Sequence, residues 1–236
     1  MQKLFKRASI VYFAFLLLVT FLSIAFLSLG YRFIVSNEII WFVINVAAEG
    51  ILTALCLSKR KESMESANII AQFLPFFALI YICVIGFLID GVDDSILILH
   101  GLLCFLTCYV VSLLYTNKRV FRIVCAVLNS ILLFFLLVGI FFIMTFGQIG
   151  QDTIVRQEIS PDKSYTAILI NSDQGALGGN TLVNIEYRTS IINIGFGQFV
   201  KVVRLYIGNW GEFETMNLEW RDDCTLLING KSYNID

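Results

Sequence analysis

The chain has 236 residues, of which 58% are hydrophobic and only 15% are charged, and its mean hydropathy is +0.80. Soluble proteins are about 45–50% apolar and about 25% charged, so this composition excludes a soluble globular enzyme, a disordered chain and a disulfide scaffold. The formal net charge of −1 gives no reason to expect a nucleic-acid partner.

Long apolar segments in the first two thirds of the chain predict membrane-spanning helices. A helix of about 20 residues crosses the roughly 30 Å hydrocarbon core of a bilayer. Four runs are free of Asp, Glu, Lys and Arg, and a fifth, residues 39–58, holds Glu49 near its middle. The predicted spans are residues 9–30, 39–57, 67–89, 95–115 and 123–145. Residues 1–146 are therefore expected to form an all-α, five-helix transmembrane domain.

The basic residues indicate that residues 39–58 cross the membrane. With five spans, nine basic residues of the short loops lie on one side and only Arg32 lies on the other. The nine are Lys3, Lys6, Arg7, Lys59, Arg60, Lys61, Lys118, Arg119 and Arg122. Omitting the second span would divide these clusters between the two sides. Because cytoplasmic loops are rich in Lys and Arg, we expect the N-terminus inside and the C-terminus outside.

An alternative for the first apolar segment is a cleaved signal peptide. Its apolar run is much longer than the 7–15 residues of a signal-peptide core. No small-x-small cleavage site stands clearly at its end. A retained first span is therefore the main expectation.

Residues 147–236 have the composition of a water-soluble domain, with seven basic and eleven acidic residues. Apolar and polar residues alternate in Val183–Arg188, and Phe199–Ile207 is rich in β-branched residues, as strands require. Asn229-Gly230 is typical of a type I′ hairpin turn, and Ser160-Pro161-Asp162 begins another turn. We expect a small all-β extracytoplasmic domain of six or seven short strands. Its lone cysteine, Cys224, cannot form a disulfide within the domain.

Three short motifs of this domain form a pattern, namely Ser160-Pro161-Asp162-Lys163-Ser164-Tyr165, Gly175-Ala176, and Trp220-Arg221-Asp222-Asp223 followed by Thr225–Ile228. This pattern resembles that of a small domain family of unknown function from Gram-positive membrane proteins and lipoproteins. The family pattern has Gly where Lys163 stands and a Thr pair where Leu177-Gly178 stand. The resemblance implies an extracytoplasmic β domain and no particular activity.

Glu49 is the most informative residue of the predicted spans, because an acidic side chain at mid-bilayer is costly and marks a functional site by default. Asn45, Glu49 and Thr53 share one helix face at intervals of four residues. One hypothesis is a proton, ion or substrate site. The other is a protonated glutamic acid that hydrogen-bonds to another helix, with His100 or Asn129 as the polar candidates.

His100, Cys104 and Cys108 recur at intervals of four on the fourth span. Imidazole and thiolate at this spacing are weak candidates for a soft metal ion. The alternative is a stripe of small side chains that permits close helix packing, and no metal site or cofactor is predicted. Counting along the spans matches the depth of His100 to Asn45 better than to Glu49.

The loop at Asp90, Asp93 and Asp94 is predicted to be a solvated acidic loop rather than a calcium site, because it lacks the spacing of a calcium cage.

Catalytic motifs are missing from the sequence. A single histidine excludes H-E-x-x-H, and neither G-x-S-x-G nor a phosphate-binding G-x-x-x-x-G-K-[ST] loop occurs. We therefore expect a non-enzymatic, multi-pass bacterial plasma-membrane protein whose β domain serves interaction, sensing or accessory envelope work. Its expected partners are the lipid bilayer and an envelope protein. The alternative is a small transport or ion-coupling subunit with a pathway past Glu49.

Overall fold

The protein is described by a computed structural model that covers residues 8–58, 65–116, 119–146, 151–175 and 178–235. It divides into a helical unit, Met1–Ser28 with Ile34–Ile140, and a β unit, Leu29–Phe33 with Phe141–Asp236. Some residues used in the predictions lie outside the described ranges, namely Lys3, Lys6, Arg7, Lys59, Arg60, Lys61, Lys118, Gly147, Ala176 and Leu177.

Among the described residues, five helices are long and apolar enough to cross a membrane, which confirms that part of the predicted fold. They are α1 (Ala8–Ser28), α2 (Glu38–Ser58), α3 (Glu65–Leu88), α4 (Asp94–Tyr115) and α5 (Arg119–Phe146). Pro75 lies inside α3. In the helical unit α4 packs against α2 and α3, and α1 packs against α3.

The chain between α1 and α2 is not the simple loop that the sequence predicts. The first helix ends at Ser28 rather than at residue 30, and a strand, β1 (Tyr31–Val35), follows. In the β unit the Val202 amide donates to the Gly30 carbonyl over 2.8 Å. Gly30 has a φ of +80°, which a glycine adopts without strain. The Phe33 ring lies 4.7 Å from that of Phe199 and is only 4% exposed.

The C-terminal segment forms strands at every run for which the pattern predicts one. A two-residue strand, β2 (Ile89–Asp90), precedes them in the helical unit. The strands of the C-terminal segment are β3 (Gln151–Ile159), β4 (Tyr165–Asp173), β5 (Gly179–Asn193), β6 (Gly197–Asn209), β7 (Leu218–Trp220), β8 (Thr225–Ile228) and β9 (Lys231–Asn234). The expectation of uniformly short strands is wrong, because β5 and β6 have 15 and 13 residues.

The β unit has two antiparallel groups of strands. In the larger one the order is β1-β6-β5-β4-β3, and the smaller one is β7-β8-β9. Alternate residues of β4 and β5 face the smaller sheet and form the core. That core consists of Ala167, Leu169, Val183, Ile185, Met216, Leu218, Leu226, Ile228 and Ile235. The predicted turn at Asn229-Gly230 is confirmed, since both residues have positive φ and Ile228 pairs with Lys231.

The turn between β3 and β4 is built by the Ser160 and Asp162 side chains. Ser160 Oγ donates to Asp162 Oδ1 over 2.7 Å and accepts from the Tyr165 amide over 3.0 Å. Asp162 Oδ1 also accepts from the Ser164 amide. Lys163, at the position where the resembled family has Gly, adopts a φ of +65°. A left-handed conformation is the physical reason why Gly suits this position.

Replacing Lys163 by glycine is expected to stabilise the β unit by about 1 kcal/mol. A residue with a Cβ is strained by about 1–2 kcal/mol in this conformation, and glycine removes that strain. Part of the gain is offset, because glycine also increases the conformational entropy of the unfolded chain. Thermal unfolding of the Lys163→Gly protein measures the change. Asn229 also has positive φ, but asparagine tolerates it. Asn229→Gly should therefore gain less and serves as the control. A loss of stability in Lys163→Gly would contradict this account of the turn.

The same turn predicts a dependence of stability on acid. Hydrogen bonds from Ser160 and Ser164 hold the pKa of Asp162 below its ordinary value. A depressed pKa means that ionised Asp162 stabilises the fold above its unfolded-state pKa, near 3.9, and that this contribution disappears as the pH falls through the folded-state value. Between pH 7 and pH 3 the melting temperature of Asp162→Asn should therefore fall less than that of the unchanged protein. Equal falls would contradict the prediction.

Candidate functional site

The buried polar cluster of the helical unit is centred on Glu49 and His100. Glu49 of α2 is 2% exposed and His100 of α4 is 1% exposed. Glu49 Oε1 lies 3.7 Å from His100 Nδ1, and the Tyr81 hydroxyl of α3 lies 3.3 Å from His100 Nε2. The Trp41 ring meets the imidazole edge-to-face at 5.0 Å. We call these four residues, Trp41, Glu49, Tyr81 and His100, the Glu49–His100 cluster.

The imidazole of His100 is held between an acid and a phenol. The separation from Glu49 is within ion-pair range but too long for a hydrogen bond, and His100 Nδ1 has no hydrogen-bond partner among the described residues. If Tyr81 donates to Nε2, the neutral ring carries its proton on Nδ1, facing Glu49. A small approach of the two side chains would then make a proton-sharing pair. The arrangement is thus suited to holding or passing a proton.

Helix α4 carries a buried polar stripe that continues from this cluster. His100, Cys104, Cys108 and Ser112 are all buried on one face, as their spacing predicts. The Cys104 thiol is close to the Glu49 carboxyl, and the Cys108 thiol is close to the Tyr12 hydroxyl of α1. Ser112 Oγ donates to the Gln72 carbonyl of α3 and accepts from Asn129 Nδ2 of α5. The stripe therefore contacts all four other helices.

Three other residues predicted to lie at the site form no hydrogen bond with Glu49 among the described residues. Asn45 donates to the Trp41 carbonyl of its own helix over 2.8 Å. Thr53 Oγ1 is buried and finds no hydrogen-bond partner within the described ranges. Asn129 is buried but donates to Ser112 over 3.2 Å.

The depth comparison, which matches His100 with Asn45 by position along the helices, does not predict the contact, because the side chain beside His100 is that of Glu49. Glu38 accepts a hydrogen bond from the Asp93 amide, so α2 and α4 begin side by side. Glu49 then lies four residues further along its helix than His100 does, about 6 Å by helical rise. A helical side chain leans toward the N-terminus of its helix, and the long glutamate side chain spans part of this offset. Counting Cα positions ignores this reach.

The weak metal candidates are not assembled into a larger set of ligands. In the part of the chain that the structure describes, no three His, Cys, Asp or Glu side chains are placed to hold one metal ion. All six cysteines are free. In the acidic loop, Asp93 caps α4 by accepting from the Ser95 amide over 2.8 Å. Hydrogen bonds from the Ser95 hydroxyl and from the Ser95 amide hold the pKa of Asp93 below its ordinary value.

Sequence reasoning missed Trp41 and Tyr81. Trp41 lies four residues before Asn45 and eight before Glu49, so the same helical spacing identifies it. Tyr81 belongs to a buried stripe of α3 that includes Leu74, Ala78 and Ile85. That stripe reads as ordinary helix packing, and no signal in the sequence connects Tyr81 with His100.

The polar residues of the β unit have local structural roles. The Tyr206 hydroxyl donates to Glu212 Oε2 over 2.8 Å, and Asn209 Nδ2 donates to Glu212 Oε1. These bonds attach the short 3-10 helix Glu212–Glu214 to β6. They also hold the pKa of Glu212 below, and that of Tyr206 above, its ordinary value. Asp222 accepts from the Cys224 amide in the turn before β8.

Comparison of the chain with protein-family models, with curated proteins and with solved structures gives no significant match.

Proposed function

We propose that the protein is a non-enzymatic, multi-pass plasma-membrane protein whose five helices hold a β domain outside the cytoplasm for interaction, sensing or accessory work in the envelope. The single observation that carries the proposal is that Leu29–Phe33, which includes the first three residues of β1, belongs to the β unit. This strand follows the first helix, whereas β3 to β9 follow the fifth. The segments after α1 and after α5 must therefore lie on the same side of a membrane.

This requirement restricts how many of the four intervening helices cross. Only an even number of crossings between β1 and β3 satisfies it, and crossing by all of α2, α3, α4 and α5 does so. The second helix is the weakest candidate for a membrane span by sequence, because it contains Glu49. It is nevertheless long and apolar enough to cross. The β1 pairing thus supports five spans by an argument independent of charge.

The distribution of basic residues supports the outer side for the β unit. The loop that contains β1 has Arg32 as its one basic residue, and the loop before α4 has only acidic ones. The opposite loops carry the nine basic residues given above. Cytoplasmic loops are rich in Lys and Arg, so these loops are assigned to the cytoplasm. The resemblance to an extracytoplasmic domain family is part of the same proposal, supported by the Ser160–Tyr165 turn and by the positive φ of Lys163.

Reporter fusions after Asp236 test the orientation. An alkaline phosphatase fused there should be active and a fluorescent cytoplasmic-type reporter dark. A matched pair fused after Ser58 should give the reverse, since that loop is assigned to the cytoplasm. A fluorescent signal from the Asp236 fusion would overturn the proposal.

A second candidate, a transport or ion-coupling subunit, is favoured by the Glu49–His100 cluster. Ionisable residues inside membrane spans commonly mark proton or ion pathways, and here an acid, an imidazole and a phenol adjoin one another across three helices. Glu49→Gln separates the candidates. A pathway should lose proton-coupled flux in reconstituted vesicles, whereas a scaffold should keep both its stability and the association of its β unit with a partner.

A further inference from the structure

The β5–β6 hairpin ends in an apolar tip that has no place in the core of the β unit. Between Arg188 and Lys201 the chain has twelve residues without a charge. The tip exposes three isoleucines, Ile191 at 39%, Ile192 at 46% and Ile194 at 44%. Its turn is ordered, since the Gly195 amide donates to Asn193 Oδ1 and the Ile194 amide to the Gly197 carbonyl. A concentrated apolar surface on an ordered turn indicates an interaction site.

The chain connects β1, which neighbours β6 in the sheet, directly to two membrane-spanning helices. Two residues separate β1 from α1, and two separate it from α2. From Gly30 to Phe33, the contacts of this segment move along the β5–β6 hairpin from Val202 to Phe199 and Phe196, toward the tip. Phe33 is five residues from Glu38, a chain length of at most about 18 Å. The membrane boundary is therefore within reach of the tip by connectivity alone.

The residues that flank the apolar tip on β5 and β6 favour a lipid headgroup region. Tyr187 and Lys201 pair across β5 and β6, and the Lys201 ammonium lies 4.8 Å from the centre of the Tyr187 ring. Arg188 is exposed beside them. Aromatic and basic side chains are the usual anchors at a membrane–water interface. Their cationic groups also attract anionic lipid phosphates.

We infer that the tip of the β5–β6 hairpin inserts Ile191, Ile192 and Ile194 into the surface of the lipid bilayer, with Arg188 and Lys201 at the phosphate level. The inference rests on one part of the proposed function, the insertion of the helices into a membrane. It does not depend on which side of the membrane carries the β unit. The occupant is the bilayer, because the chain joins the strand beside this hairpin to two membrane-spanning helices. The tip anchors the β unit to the membrane.

Collision accessibility of a spin label tests the inference in the full chain. Ile192→Cys and Ile194→Cys are labelled separately with a nitroxide after Cys83→Ser and Cys224→Ser remove the exposed cysteines. Lys231→Cys, at the polar turn of the smaller sheet, is the matched control. Each protein is placed singly in nanodiscs of phosphatidylcholine and phosphatidylglycerol.

Oxygen, which concentrates in lipid, should enhance the spin relaxation of both tip labels several times more than a water-soluble nickel chelate does. For the Lys231→Cys label, the nickel chelate should have the larger effect. Tip labels as accessible to nickel as the control would overturn the inference. Labels shielded from both reagents would also overturn it, since protein would then cover the tip. Both leaflets face buffer in a nanodisc, so an inverted orientation in the reporter experiment would leave this result unchanged.

Discussion

Replacing Phe33 by alanine is expected to destabilise the β unit by about 3–5 kcal/mol, the range for large-to-small changes of buried aromatic residues. Phe33 is 4% exposed, and its ring lies 4.7 Å from that of Phe199 and 6.0 Å from that of Phe196. Hydrogen exchange in the full-length protein measures the effect at the Val202 amide, which donates to Gly30.

Ile207→Ala is the matched control for this change. Ile207 lies on the same strand as Phe199 but is 61% exposed, so its truncation should alter stability by less than about 0.5 kcal/mol. Unchanged protection of Val202 in Phe33→Ala would mean that β1 does not support the β unit. The C-terminal segment would then fold without a contribution from β1.

Separating Glu49 from His100 is expected to cost about 1–2 kcal/mol, the range found for polar contacts between membrane helices. Glu49→Leu leaves His100 Nδ1 facing an apolar side chain, whereas Glu49→Gln keeps a polar group there and should preserve stability. Asn45→Leu, one turn away, is the control and should cost less, because among the described residues Asn45 donates to the Trp41 carbonyl of its own helix and not to another helix. Unfolding of the reconstituted protein measures each change.

A double-mutant cycle isolates the contact itself. Glu49→Leu and His100→Phe should show a coupling energy of at least about 0.5 kcal/mol, as residues in contact commonly do. The two losses should therefore not add. Full additivity would indicate that the 3.7 Å separation contributes nothing and that the two residues are buried for unrelated reasons.

The sequence predicted the helices and most strands because their signals are local. A charge-free run of about 20 residues or an alternating strand specifies its own structure, and Asn229-Gly230 specifies its own turn. The role of β1 was missed because it depends on a partner strand about 170 positions away along the chain. Five residues after a helix have too little pattern to reveal that pairing.

For the candidate site, the sequence located the important residues but not their pairing. Glu49 and His100 stand out as rare polar residues in apolar spans. Their contact depends on how α2 and α4 are aligned, which Glu38 and the Asp93 amide determine at the helix ends. Tyr81 was not found because a tyrosine among buried apolar residues is unremarkable in a sequence.

Labelling of Cys224 in intact cells tests most directly the claim that the β unit lies outside the cytoplasm. Cys224 is exposed, and it is the one cysteine of the β unit. A membrane-impermeant maleimide should label it to the same extent before and after permeabilisation, and Cys224→Ser should abolish that labelling. Labelling that requires permeabilisation would contradict the proposed topology.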